Sequence, residues 1–330
     1  VILIPLIRGL KFENKRCCTM SAKATVSRKG YLCVILAAVM WAISGTSGKY
    51  LFQHGLTPYD VVQLRLTIST PILAIALAIK NPQLLKIEKS DIFYFAILGI
   101  VGMGMVQFTY FYAISKIKVA AAILLEYLAP VFIALYSVIV AGERLSGPTV
   151  IALCGAFLGC YLVVGGYDLN LLSMNKLGIL GGLAAAASFA WYSIHGERGM
   201  RRYHPWTVFF YALVFATILW NVLHPPLASF QKNCTPFMWT LIVYIAIFGT
   251  LLPFGLYFEG INLIRSTRAS ITATLEPISA GILSFVFLGE KLALPQIAGG
   301  LLVIGSIVLL QLAKEEDHAI PALIRAQRGE

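Results

Sequence analysis

Three ionisable side chains stand inside apolar runs. Glu126 lies in Leu124-Leu125-Glu126-Tyr127-Leu128-Ala129-Pro130, Arg65 in Val61-Val62-Gln63-Leu64-Arg65-Leu66, and Glu276 in Thr274-Leu275-Glu276-Pro277. A charge at the centre of a membrane span costs about 2.5–3.5 kcal/mol on insertion scales, so such a residue faces a cavity or a partner. Glu126 can hold a cationic group or a proton, and Arg65 a carboxylate. The competing reading is a fixed ion pair that joins two helices. Glu276 has the same choice, with Arg268 or a backbone group as its local partner. Trp41, Trp191, Gln107, Tyr110, Tyr127 and Tyr257 offer apolar faces with polar tips, which suits either an amphipathic cavity or core and interface anchors. Pro130, Pro277, Pro71 and Pro253 each remove a backbone donor within an apolar run, as hinges or as static kinks.

The elements that position these residues follow from composition. The 330 residues are 58% hydrophobic and 12% charged. Soluble domains carry about 25% charged residues, so this chain could not cover itself in water. Long apolar stretches with short polar gaps predict an all-α polytopic membrane protein. Ten transmembrane helices are expected, at roughly 31–52, 59–79, 92–114, 119–141, 148–166, 177–197, 205–223, 237–258, 268–288 and 294–313. His54-Gly55-Leu56-Thr57-Pro58, Asn81-Pro82, Gly147-Pro148 and Pro225-Pro226 punctuate them. A net charge of +11 raises nucleic acid as a partner, but the charges sit in loops and form no basic stripe, so that class is excluded. The six cysteines show no CxxC pair and no metal-ligand spacing, so neither a metal nor a cofactor is expected. Val1–Leu10 is apolar, yet the basic residues follow it, the wrong order for a secretory signal. Residues 1–19 are expected to be an upstream extension or an alternative start ahead of Met20.

A signature occurs twice, 147 residues apart. Pro130, Gly142-Glu143-Arg144-Leu145 and Pro148 correspond to Pro277, Gly289-Glu290-Lys291-Leu292 and Pro295. Tyr110-Phe111 meets Tyr257-Phe258 and Gly102 meets Gly249 at the same offset, so the fold is a duplication. The first helices match through Trp41 and Trp191 at an offset of 150. With the N-terminus inside, Lys80, Lys86, Lys89, Arg198, Arg201, Arg202, Arg265 and Arg268 fall on the cytoplasmic side, where positive charge concentrates. Five spans per repeat is an odd number, so the halves are inverted, the arrangement that alternating access uses. Both termini are then cytoplasmic. The organisation expected is a basic segment 1–29, repeat one over 30–166, repeat two over 177–313 and a tail 314–330. The Gly-Glu-Arg/Lys-Leu blocks are expected to be turns, and Gly155–Gly159 and Gly178–Gly182 to be close-packed helix faces.

Trp41 in a small-residue first helix, Leu125-Glu126-Tyr127-Leu128-Ala129-Pro130 and the paired Gly-Glu-Arg/Lys-Leu blocks resemble the EamA-type permeases of the drug/metabolite transporter superfamily. The resemblance spans about residues 30–313. It implies two inverted five-helix EamA repeats, with helices 1–4 and 6–9 around a central cavity and helices 5 and 10 to one side. It also implies export of small metabolites, often amino acids and their relatives, from a bacterial inner membrane. The function expected is therefore a secondary transporter whose partners are a small-molecule substrate and the lipid bilayer. Proton coupling through Glu126 or Glu276 and simple facilitation both stay open, as do monomer and homodimer. No Walker A loop is present, which argues against ATP coupling within the chain. An intramembrane enzyme on lipid-linked substrates would need a set such as HExxH or GxSxG, which the chain lacks. A scaffold or sensor is expected to carry a sizeable soluble domain or a long tail, which terminal segments of about 30 and about 17 residues do not favour.

Overall fold

A computed structural model of the chain describes residues 20–117, 119–142, 144–163, 175–225, 227–288, 293–313 and 320–328, and every regular element among them is helical. The expected extension 1–19, the second Gly-Glu-Lys-Leu block and Glu143 lie outside the described residues. Repeat one comprises α1 Met20–Gln53, α2 Pro58–Lys80, α3 Ile92–Ile97, α4 Met105–Lys116, α5 Val119–Glu126, α6 Ala129–Ile139 and α7 Gly147–Val163. Repeat two comprises α8 Lys176–Met200, α9 Pro205–Leu223, α10 Pro236–Ala246, α11 Leu252–Ala273, α12 Leu275–Leu288 and α13 Leu294–Leu312, and α14 Pro321–Arg328 follows it. π-helical turns, Leu98–Gly104 and Ile247–Leu251, join α3 to α4 and α10 to α11.

Local sequence sets the ends of these rods. Thr57 caps α2: Asp60 N donates to its hydroxyl (3.3 Å), Thr57 N donates to Asp60 Oδ2 (2.8 Å), and Pro58 occupies the first turn, where a missing N–H costs nothing. At the same place in repeat two, His204 Nδ1 accepts from Trp206 N (3.3 Å) ahead of Pro205. Gly142, with φ 66°, takes up the left-handed conformation after α6, as the first Gly-Glu-Arg-Leu block predicts.

Among the described residues, eight helices are long and apolar enough to cross a membrane, and Gly147–Val163 is a shorter apolar helix. Pro236–Ala273 is apolar over 38 residues and consists of two helices that meet at a kink where Arg265 leaves helical geometry (φ 70°, ψ 163°), within the gap expected between spans 237–258 and 268–288.

The repeats interlock: α1 packs along α11 and α8 along α4. These contacts correct the register of the first helices. A Cβ on Gly48 would lie 2.2 Å from Phe111, and one on Gly196 would lie 2.5 Å from Phe258. The equivalence is therefore 148 residues, two fewer than the tryptophans suggest. α7 and α13 pack together to one side through a glycine seam, where Cβ atoms on Gly159 and Gly299 would approach each other's carbonyl oxygens to 2.7 and 2.6 Å. Gly178 and Gly182 pack closely on Ile117 and Leu125. The C-terminal α14 was not expected. Arg325 donates to Met200 O, to Tyr203 O (3.1 Å) and to Asn262 Oδ1 (2.8 Å), which ties α14 to the end of α8 and to the middle of α11.

Candidate functional site

Both repeats contribute walls to one cavity. Two interruptions of the bundle make room for it. Repeat one breaks its fourth helix at Tyr127 and Leu128, before Pro130, and repeat two breaks at Thr274, before Pro277. Proline cannot donate to the carbonyl four residues back, and its ring crowds that carbonyl, so each helix breaks in the turn before its proline. Pro253 likewise begins α11 after the π turn. Pro71 sits on an exposed face within the continuous α2, away from the cavity.

Arg65 reaches across the seam between the repeats. Its Nε donates to Thr250 Oγ1 (2.7 Å), its Nη2 donates to Gly249 O (2.8 Å), and its guanidinium lies 4.9 Å from the Phe111 ring centroid. Gly249 and Thr250 belong to the second π turn, where the wider winding leaves a carbonyl free to accept. Among the described residues Arg65 makes no ion pair with Glu126 within 4.0 Å, so the two are not a fixed helix-joining pair.

The two acids enter the cavity differently. Glu126 ends α5, is half-buried against the cavity, and makes no hydrogen bond or ion pair among the described residues. Glu276 is buried, and its Oε2 accepts from the Tyr127 hydroxyl (2.8 Å), which also lies 2.8 Å from Ala273 O. Tyr127 thereby links the two helix breaks. Arg268 donates to Ala313 O (3.2 Å).

Two donors beside these charges lack partners among the described residues. Trp41 Nε1 and the Tyr110 hydroxyl are buried and unpaired among the described residues. The Trp41 ring is fixed by Phe254 (4.9 Å), Tyr257 (5.5 Å) and Phe189 (6.1 Å). Buried polar atoms are normally paired, so these two are available to a ligand. Gln107 also lines the cavity, its Nε2 3.7 Å from Met103 Sδ.

Two expected lining residues lie elsewhere. Tyr257 stands behind the wall, its hydroxyl 3.0 Å from Ser193 Oγ. Trp191 stacks on His195 at 4.0 Å, because the 148-residue register puts Phe189 where Trp41 stands in repeat one. Phe254 fills the place of Gln107, and the 147-residue offset already contained that pairing. Ser44 and Ser270 also line the cavity; as small polar residues in apolar helices they carried no signal. Among the described residues no group of three or more His, Cys, Asp or Glu could hold a metal ion.

The profile of the EamA-like transporter family matches residues 28–165 and again 176–312. The uncharacterized inner membrane transporter YicL of Salmonella typhimurium is 28% identical over 294 residues, covering 87% of this chain and 96% of that protein. The threonine/homoserine exporter RhtA of Escherichia coli is 27% identical over 281 residues, covering 83% of this chain and 88% of that one. A solved crystal structure superposes with a TM-score of 0.69 at 20% identity, covering 88% of this chain and 98% of its own, which shows a shared fold. With the duplicated profile spanning the helical body, this multi-pass membrane protein belongs to the EamA-like transporter family.

Proposed function

We propose that the chain is a secondary transporter that exports small zwitterionic metabolites, amino acids or their relatives, by alternating access between its inverted repeats. The observation that carries this reading is the charge layout of the cavity. One wall holds the Arg65 guanidinium, and another holds the Glu126 carboxylate with no partner among the described residues. A carboxylate can approach Arg65 and the donors of Trp41 and Tyr110, while an ammonium group faces Glu126. The aromatic rings suit a modest side chain. Both termini are placed in the cytoplasm, and Glu126 is the group that exchanges cargo or a proton. RhtA, a threonine/homoserine exporter by name, supports the substrate class.

The test is efflux of labelled threonine from proteoliposomes, with Glu126→Gln beside the wild type across pH. The wild type empties the vesicles and Glu126→Gln slows efflux and flattens its pH dependence. An unchanged rate and pH profile overturns the role of Glu126. Unchanged extracellular amino acid pools in cells overexpressing the wild type overturn the substrate class.

A further inference from the structure

Each cavity-bearing helix leaves its predecessor at a sharp joint. In repeat one the joint follows α4, where Ile117 is extended (φ −129°, ψ 174°). In repeat two it falls at Arg265, which lines up with Lys118 at the repeat offset of 147. Downstream of the joints come Glu126 and Tyr127 in one repeat, and Ser270, Ala273 and Glu276 in the other, all on the cavity wall. The direction taken at each joint therefore places one wall.

An ionisable side chain from the first helix of the same repeat grips each joint. Lys49 Nζ donates to Ile114 O (2.7 Å) and Ile117 O (3.3 Å), the open carbonyl end of α4. Glu197 is 148 residues later, the register found for the first helices, and it grips the opposite kind of group. It accepts from Ser266 N (2.8 Å), Ser266 Oγ (2.5 Å) and Arg265 Nε (3.2 Å), with Arg201 Nη2 at 3.7 Å. A cation thus closes a helix C-terminus in one repeat, and an anion caps a helix N-terminus in the other. Neither side chain lines the cavity.

The second joint is also strained. Arg265, at φ 70° and ψ 163°, lies in a region almost reserved for glycine. Such a conformation persists only where its surroundings over-determine it. The Glu197 carboxylate, bonded to both the side chain of Arg265 and the next backbone N–H, supplies that constraint.

We propose that Lys49 and Glu197 are positioning residues for transport: catches of opposite charge that hold the two joints about which the cavity walls turn. The proposal rests on the carrier reading for its role in transport, and on geometry alone for the grip. The test uses the full chain in lipid nanodiscs and proteoliposomes, with amide hydrogen exchange and threonine efflux as paired readouts. Glu197→Gln keeps the shape and loses the charge. It accelerates exchange over 264–276 about tenfold, the worth of one charge-assisted hydrogen bond, and leaves α2 and α9 unchanged. Efflux slows with little change in KM. Arg265→Gly added to Glu197→Gln restores slow exchange, because glycine holds this φ unaided. Lys49→Met accelerates exchange around Ile117 alone. Unchanged exchange at both joints overturns the proposal, and so does uniform acceleration through every helix or a failure of glycine to restore the second joint. If the wild type moves no amino acid, the carrier reading falls, while exchange confined to the joints still upholds the catches.

Discussion

In repeat one the π turn covers Leu98–Gly104 and the fourth helix breaks at Tyr127 and Leu128; in repeat two the π turn covers Ile247–Leu251 and the fourth helix breaks at Thr274. These departures coincide at the repeat offset, with Gly102 and Gly249 inside the two turns. The chemistry does not coincide. At the same offset Arg65 meets Ala212, Glu126 meets Ala273 and Gln107 meets Phe254. A carrier that alternates between two related states needs matched mechanics in its halves. A zwitterion has two unlike ends and no twofold axis, so its ligands need not be matched. On the proposed reading, the backbone irregularities belong to the mechanics and the unmatched charges to the substrate.

The largest effect should come from Arg65, which does both jobs at once. Arg65→Ala removes the cross-repeat bonds to Gly249 and Thr250 and leaves buried acceptors open. We expect a loss of about 3 kcal/mol, seen as a lower thermal midpoint, and efflux near background. Arg65→Lys keeps the charge but cannot reproduce the fork, and should recover stability better than transport. Next comes a transplant. Glu126→Ala with Ala273→Glu moves the acid to the equivalent position in repeat two. If the unmatched charges serve the substrate, efflux stays as low as in Glu126→Ala; full recovery would break the comparison.

Two matched glycines sharpen it further. A Cβ on Gly102 would lie 2.7 Å from the buried Tyr192 ring, and one on Gly249 would lie 2.5 Å from Ser44 Oγ. Gly102→Ala should cost about 1–3 kcal/mol by overpacking with transport largely kept in the protein that folds. Gly249→Ala disturbs the carbonyl that holds Arg65, and should lower efflux more than it lowers the thermal midpoint. The smallest effect concerns the paired caps Thr57 and His204. Burial, with Arg325 nearby, pushes His204 down to about 4, against about 6.5 in an unfolded chain. A base with a depressed folded pKa favours the folded state fully above pH ~6.5, and that contribution fades as pH falls toward ~4. The thermal midpoint should therefore drop over that window. His204→Asn, a cap that does not titrate, should shrink the drop.

The duplication was legible because Gly, Pro and aromatic positions recur at fixed spacing, and the membrane class followed from apolar runs that no soluble fold could bury. Glu126, Arg65 and Glu276 were legible as charges where charge is costly, and they share one cavity. Their partners were not legible. A single helical phase decides whether a tryptophan lines a cavity or stacks behind it, and Trp191 shows how two residues of register separate those outcomes. The joint at Arg265 falls in the gap expected between spans 237–258 and 268–288, but its left-handed geometry gave no signal, since arginine carries no preference for positive φ; Glu197, 68 residues away in sequence, bonds it.

The glycine seam between α7 and α13 has a consequence for synthesis. Gly159 is made long before Gly299, so during elongation α7 sits beside the bundle with its close-packing stripe facing lipid. The seam closes only when α13 has been inserted. A truncation before it leaves a stripe of small residues open, and a second unfinished chain could fill it, as incomplete repeats do when they mispair.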